Sequence, residues 1–289
     1  MSPPEPACMD PDWNEVWKIR QRQHEASQIP DDTSHNWDRK ENAERYDANS
    51  RKEYDARIGL TIAGLDLTGE SRVLDIGAGP GTLALPLAPR VKEITAVEPG
   101  AGMVAILKER AVQEGITNIS CVQKRWEEVD VARDLAGPYD IVIASLSLTM
   151  EDIRTSLRKM DATSKRFVCL YWFVDLPFWE RMYADLWEPL HGRPYYSGPK
   201  ADCLYNVLYQ MGIYANVEMM PLSKEYRSGT LEEMTAFFSG RFGVKTPSQR
   251  KVLEAYLASK VRYERGSVVI AGDSTFAKVW WEKTLQRDP

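Results

Sequence analysis

Val73-Leu74-Asp75-Ile76-Gly77-Ala78-Gly79-Pro80-Gly81-Thr82 reads as a strand that runs into a glycine turn and then into a helix. Val73, Leu74 and Ile76 are the apolar residues of a buried strand. Gly77 and Gly79 let the main chain turn sharply and approach a ligand with no Cβ in the way. Gly81 opens a helix whose first N–H groups lack partners and can hold an anion. Asp75 sets a carboxylate beside the turn. Amide donors on one side and a carboxylate on the other suit an amino acid, which carries one group of each sign.

The next strand supports this reading. Glu98 ends the run Glu93-Ile94-Thr95-Ala96-Val97-Glu98, 23 residues after Asp75. That is near the spacing at which an acid on a second strand meets a ribose. A carboxylate there accepts hydrogen bonds from both ribose hydroxyls and repels a phosphorylated ribose.

The glycines fall at 77, 79 and 81, and Thr82 stands where the nicotinamide and flavin fingerprint G-x-G-x-x-G has its last glycine. The pattern D-x-G-x-G-x-G resembles motif I of the class I S-adenosylmethionine-dependent methyltransferases, especially the small-molecule branch of the ubiquinone/menaquinone-biosynthesis type. The resemblance spans roughly residues 37 to 175. The plainer alternative is an α/β fold whose glycine turn only packs helix on strand.

The resemblance implies a Rossmann-like α/β fold: a seven-stranded, mostly parallel sheet with helices on both faces and its last strand antiparallel. It implies S-adenosylmethionine as cofactor and S-adenosylhomocysteine as product. Asp75, Gly77 and Gly79 would hold the methionine part, Glu98 the ribose hydroxyls, and Met103 one face of the adenine, with Ala78 and Pro99 as further cofactor contacts; ordinary helix packing also explains Met103. After the third strand the family shows an acid that reads the adenine amine. Here that place in Val122-Gln123-Lys124-Arg125-Trp126-Glu127 falls on Arg125. Trp126 stacking on the base and Glu127 taking the amine would compensate; Glu127 and Glu128 also read as solvated charges. Ser145, at the fourth strand's end, reads as a cofactor or substrate contact or as a turn former. In Trp37-Asp38-x-x-x-x-Ala43-x-x-Tyr46, Tyr46 is the aromatic expected to close over the cofactor, with helix packing as its alternative.

Along the chain, residues 1–70 read as an N-terminal tail and helical cap, and residues 71–289 as the methyltransferase-like domain. Asp12 with Glu15 looks like a helix cap ahead of Trp13, Val16 and Trp17. A second helical piece covers Trp37 to Tyr46. Ser50-x-x-Glu53 reads as the capping box of a third, which Gly64 stops. Strands are expected at 72–77, 93–98, 119–123, 139–145 and 166–173, with helices near 82–88, 101–114 and 150–160 between them, the alternation of a parallel sheet. Two more strands are expected at Tyr214–Leu222 and Thr275–Glu282. Two helical insertions, about 175–211 and 230–265, read either as a substrate lid or as bulk and dimer contact.

Composition sets outer bounds. Net charge is −5 and the pI about 5.5, so no domain-wide basic surface serves a nucleic acid. The sequence shows no apolar run of membrane-spanning length and no signal peptide, and its start is polar and proline-rich. Cys8, Cys121, Cys169 and Cys203 lie far apart without a CxxC motif, and the three histidines form no zinc signature. A cytoplasmic, metal-free protein is the expectation, with a homodimer compatible.

A sulfonium is already activated, so the protein's task is to hold an acceptor in line with the methyl group and exclude water. His191 and Asp175 are the candidates for a base if the acceptor must lose a proton, although surface or capping roles suit them as well. The aromatic-rich insertion fits core packing or a pocket for an aromatic or cationic small molecule. The sequence also leaves open a non-catalytic cofactor-binding sensor or assembly protein, and a methyltransferase acting on tRNA or protein.

Overall fold

The computed structural model describes residues 11–28, 36–52 and 57–283. Two helices lead: α1 (Trp13–Ser27), whose N-cap Asp12 accepts from the Asn14 N–H, and α2 (Lys40–Lys52). The third helix does not begin at Ser50. Asp47 to Lys52 contains no glycine or proline to end α2, so α2 runs through Ser50, and Glu53 lies outside the described residues. A short α3 (Gly59–Ala63) follows, capped at Gly64.

The alternating region then runs β1 (Arg72–Ile76), α4 (Ala84–Leu87), β2 (Glu93–Val97), α5 (Ala101–Gln113), β3 (Ile119–Val122), α6 (Val131–Asp134), β4 (Tyr139–Ser145), α7 (Ile153–Thr163) and β5 (Ser164–Phe173). The chain continues through α8 (Phe178–His191), α9 (Ala201–Gln210), β6 (Asn216–Ser228), α10 (Leu231–Arg241), α11 (Pro247–Lys260), β7 (Arg262–Glu264) and β8 (Ser267–Glu282). The sheet order is β3-β2-β1-β4-β5-β8-β6, with β7 paired to β8. Strands β1 to β5 pair in parallel, and β8 lies antiparallel between β5 and β6.

Both faces of the sheet are covered, which is why β1 and β4 are almost continuously apolar. Leu74, Ile76, Val142, Leu170 and Val279 face α1, α7 and α9, with Trp17, Leu157 and Leu204 among their partners. Val73, Ile94, Ile143 and Tyr171 face the other way, against Ile62, Leu83, Leu87 and Leu107.

Among the described residues the expected seven strands become eight, and the two expected at Tyr214–Leu222 and Thr275–Glu282 are longer than expected. β6 and β8 stay paired from Asn216↔Trp280 to Ser228↔Val268, whereas β5 meets β8 only as far as Phe173↔Phe276. The pair therefore extends past the carboxyl end of β5 as a two-stranded arm. A hairpin turning through Arg265 and Gly266, both at positive φ, adds β7 beside the arm's tip. A bare two-stranded ribbon is only marginally stable. Here α8, α10 and α11 pack on it in a separate core of Met182, Leu186, Trp187, Phe238, Leu253, Val268 and Ile270. Capping boxes at Thr230 with Glu233 and Thr246 with Gln249 start α10 and α11. Segment 175–211 thus divides: α8 joins this cap, while α9 packs with α1 and α7 on the main core.

Candidate functional site

Beyond Ile76 the chain bends toward β2, and the N–H groups of Gly77 and Ala78 both donate to the Val97 carbonyl, at 2.8 and 3.2 Å. Gly77 has φ 71°, and a Cβ there would lie 2.3 Å from Ser147 Cβ. Only glycine fits that position. Ser147 reaches the same bend from the end of β4, its hydroxyl donating to the Ile76 carbonyl at 2.6 Å. Between Ser145 and Ser147, Leu146 takes φ 56°, a conformation that costs energy for a branched side chain and clusters at ligand sites.

Glu98 ties this turn to the next loop. Its carboxylate accepts from the Gly79 N–H at 2.9 Å and from the Gly100 N–H at 2.8 Å. Each carboxylate oxygen keeps a further lone pair, so this bracing is compatible with two ribose hydroxyls. Glu98 is buried, and burial holds its pKa above the usual carboxylate range against the opposing pull of the two N–H donors. Asp75, in β1, is 2% exposed. Burial first, and the Glu98 charge second, push its pKa up to about 7.

A cleft opens here, between β1 and β4, where the strand order reverses direction. Tyr46, Arg57, Asp75, Gly77, Ala78, Gly79, Thr82 and Ser145 are among its lining residues. Three buried atoms on its wall have no hydrogen-bond partner: Arg57 Nε, Asp75 Oδ2 and Thr82 Oγ1. Buried polar groups are almost always paired. Three orphans facing one cleft mark a place shaped for a polar ligand. Arg57 is 5% exposed, and its Nη1 donates to Ser145 Oγ at 3.3 Å. Sequence reasoning did not find Arg57. No motif marks it, and only its burial on the lining of the same cleft as Asp75 gives it meaning.

The segment before the sheet closes the neighbouring wall. The Trp37 carbonyl accepts from Gly102 N–H at 3.0 Å, and Asp38 accepts from Ala101 N–H at 3.0 Å. A Cβ on Gly102 would meet Arg39 main chain at 2.8 Å, so 37–39 lies directly on the start of α5. Tyr46 is 39% exposed and packs edge-on to Trp37 at 5.4 Å. Pro99 sits between the two residues of the Glu98–Gly100 brace. Met103 is buried with Ala43, Ile106 and Trp37, the packing alternative for that residue.

Other expected site residues are not brought to this cleft. Trp126 is 2% exposed in the main core, its indole N–H donating to the Ser156 carbonyl at 3.2 Å. Lys159 sits over its ring at 4.6 Å. A tryptophan enclosed this way does not present a face to a base. Glu127 is exposed in the adjoining 3-10 turn, whose carbonyls at Trp126, Glu127 and Val129 all accept from Lys159. His191 belongs to the cap: it bonds the Phe242 carbonyl at 3.0 Å and stacks near Trp187 at 4.5 Å. Burial lowers its pKa. Asp175 is exposed just beyond β5. The insertion's aromatics are mostly packing residues; Tyr183 alone touches Trp187, Tyr195 and Phe242.

Among the described residues, no cluster of three or more His, Cys, Asp or Glu could hold a metal ion. No described helix is long and apolar enough to cross a membrane.

Residues 73–166 match the family model described as a methyltransferase domain. An uncharacterized protein of Haemophilus influenzae is 25% identical over 221 residues, 76% of this chain and 79% of that one. A probable ribosomal RNA small subunit methyltransferase A of Methanosphaera stadtmanae is 29% identical over 152 residues, and the alignment spans 50% of this chain and 53% of that relative. Among solved structures, the YcgJ protein of Bacillus subtilis superposes with a TM-score of 0.52 at 16% identity, covering 80% of this chain and 98% of that one.

Proposed function

The chain belongs to the class I S-adenosylmethionine-dependent methyltransferases, and on that premise we propose that it transfers a methyl group to a small-molecule acceptor. The observation that carries the site assignment is the trio of unpartnered buried atoms on Arg57, Asp75 and Thr82. A cation and an acid on one wall suit the two ends of an amino acid. The residues fit the methionine part: Asp75 would take its ammonium and Arg57, missed in the sequence, its carboxylate. Glu98 would take the ribose hydroxyls, and Tyr46 would cover the mouth. When bound, S-adenosylmethionine supplies a methyl group already activated by its sulfonium.

What this chain adds is placement and dryness. Ser147 pins the loop after β4 onto the glycine turn, which fixes the floor on which an acceptor would rest. The arm and cap extend past the end of β5 on that same edge of the sheet, where they can shield the acceptor from water. His191 bonds the Phe242 carbonyl within the cap and so does not serve the cleft. Trp126 and Glu127 drop out of the proposed adenine contact, and Met103 with Trp37 remains.

The net charge of −5 favours a small molecule over RNA, although several relatives are named for ribosomal RNA. Titration calorimetry with S-adenosylhomocysteine tests the cofactor site, with Arg57→Met and Asp75→Asn each expected to weaken binding at least tenfold. Methyl transfer from labelled cofactor to a metabolite panel, with bulk tRNA and rRNA in parallel, tests the acceptor. Label appearing only in RNA overturns the small-molecule reading. Tight binding without transfer to any acceptor favours a sensor.

A further inference from the structure

The cap carries a second cavity, distinct from the cofactor cleft. It lies between α8, α11 and β8 and has a volume of about 330 Å³, within the range of small-molecule sites. Its apolar lining comes from Phe178, Met182 and Ile270, the last two buried in the cap core. Its polar lining is Arg181, Asp185, Tyr256 and Lys260. The Tyr256 hydroxyl donates to Asp185 Oδ2 at 2.8 Å, so one carboxylate oxygen is already engaged. Lys260 Nζ stays 3.9 Å from that same oxygen, beyond hydrogen-bond reach, and lies over the Tyr256 ring at 5.3 Å. Arg181 donates to the carbonyls of Leu176 and Asp273, which anchors it without neutralising it. Two cations against one acid leave the lining with a net positive charge beside an apolar floor.

We propose that this cavity is a binding site for a monoanionic amphipath, a carboxylate on an apolar body, with the body on Met182, Phe178 and Ile270 and the carboxylate at Lys260 and Arg181. The floor buries hydrocarbon, and an ammonium without a direct hydrogen-bonded acid is available for a charge-assisted bond. The site is built into the arm that carries the cap. Phe178 packs so closely on β8 that a Cβ at Gly272 would lie 2.2 Å from its ring. Its neighbour Trp179 meets Phe173, the last residue of β5, at 5.3 Å. A ligand here therefore contacts the helix that leaves the catalytic edge of the sheet. This cavity shares no lining residue with the cofactor cleft.

Sodium decanoate below its micellar concentration is the probe, titrated calorimetrically into the full-length protein, with decanol and decyltrimethylammonium in parallel. Saturable one-site binding of decanoate is expected, at least tenfold tighter than either analogue. Lys260→Glu, a surface change, should weaken it at least tenfold, and Ile270→Trp should block it by filling the floor. S-adenosylhomocysteine binding and circular dichroism should be unchanged in Lys260→Glu. If Ile270→Trp does not fold, Ala271→Trp at the exposed edge of the same cavity replaces it. Equal binding of decanol and decanoate, no binding at all, or decanoate binding indifferent to Lys260→Glu overturns the proposal.

Discussion

A Cβ on Gly77 would lie 2.3 Å from the Cβ of Ser147, whose hydroxyl donates to the Ile76 carbonyl at 2.6 Å and ties the end of β1 to the loop after β4. Gly77→Ala meets a steric clash and a positive φ together, so it should destabilise the protein by about 2–4 kcal/mol. Urea denaturation checks this; a loss below about 0.5 kcal/mol would show that the loop simply moves away.

Gly79 offers the contrasting case. Its φ is 56°, yet a Cβ there meets nothing within 4 Å. Gly79→Val should therefore leave a folded protein, at a conformational cost of about 1–2 kcal/mol, while the side chain projects into open space at the cleft. S-adenosylhomocysteine binding should fall at least tenfold. Intact affinity in that folded variant would remove the glycine turn from the cofactor site.

Glu98 has two tasks to lose. Glu98→Ala frees two loop N–H groups and removes the proposed ribose acceptor. Affinity for S-adenosylhomocysteine should drop by about 1.5–3 kcal/mol, with melting also lowered. Glu98→Gln keeps one oxygen acceptor and should restore part of the stability. Calorimetry on both variants separates bracing from binding.

Asp75 sets a pH dependence with a definite sign. Its folded pKa is raised to about 7 from an ordinary value of 3.8, so between those values the folded state binds more protons than the unfolded state. Stability from this group is full below about pH 4 and is lost as pH rises to about 7. Asp75→Asn should remove that slope and raise stability at pH 7 by roughly 2–4 kcal/mol. Wild-type affinity for the ammonium-bearing product should instead rise from pH 5 to 7, as Asp75 ionises. An Asp75→Asn variant with an unchanged slope in urea titrations at pH 5, 6 and 7 would refute this assignment.

Trp126 separates packing from cofactor contact. Trp126→Leu should cost about 2–4 kcal/mol of stability through the cavity it leaves. Binding of S-adenosylhomocysteine by the folded variant should change less than threefold. A large loss of affinity without a loss of stability would return Trp126 to the adenine.

The central sheet was legible in the sequence because each of its signals is local. Val73 to Gly77 and Glu93 to Glu98 carry strand, turn and acid within a few residues, and β4 falls at the expected 139–145. Arg57, His191 and Trp126 were not legible. A lone arginine, histidine or tryptophan has the same local signature whether it faces a cleft or a core, and only packing separates the two. The ends of β6 and β8 were hidden for a related reason. Their extra length is stabilised by packing against α8, α10 and α11, and a strand's local pattern does not show which helices fold back onto it.

By itself, the sequence determined the glycine turn with its flanking acids, since positive φ and close main-chain approach demand particular residues at fixed spacing. Tertiary structure alone decided which polar atoms were left without partners, because burial and pairing depend on residues brought together from distant strands. That is why the kind of cofactor could be read along the chain, while Arg57 and the cavity in the cap emerged only once the chain had folded.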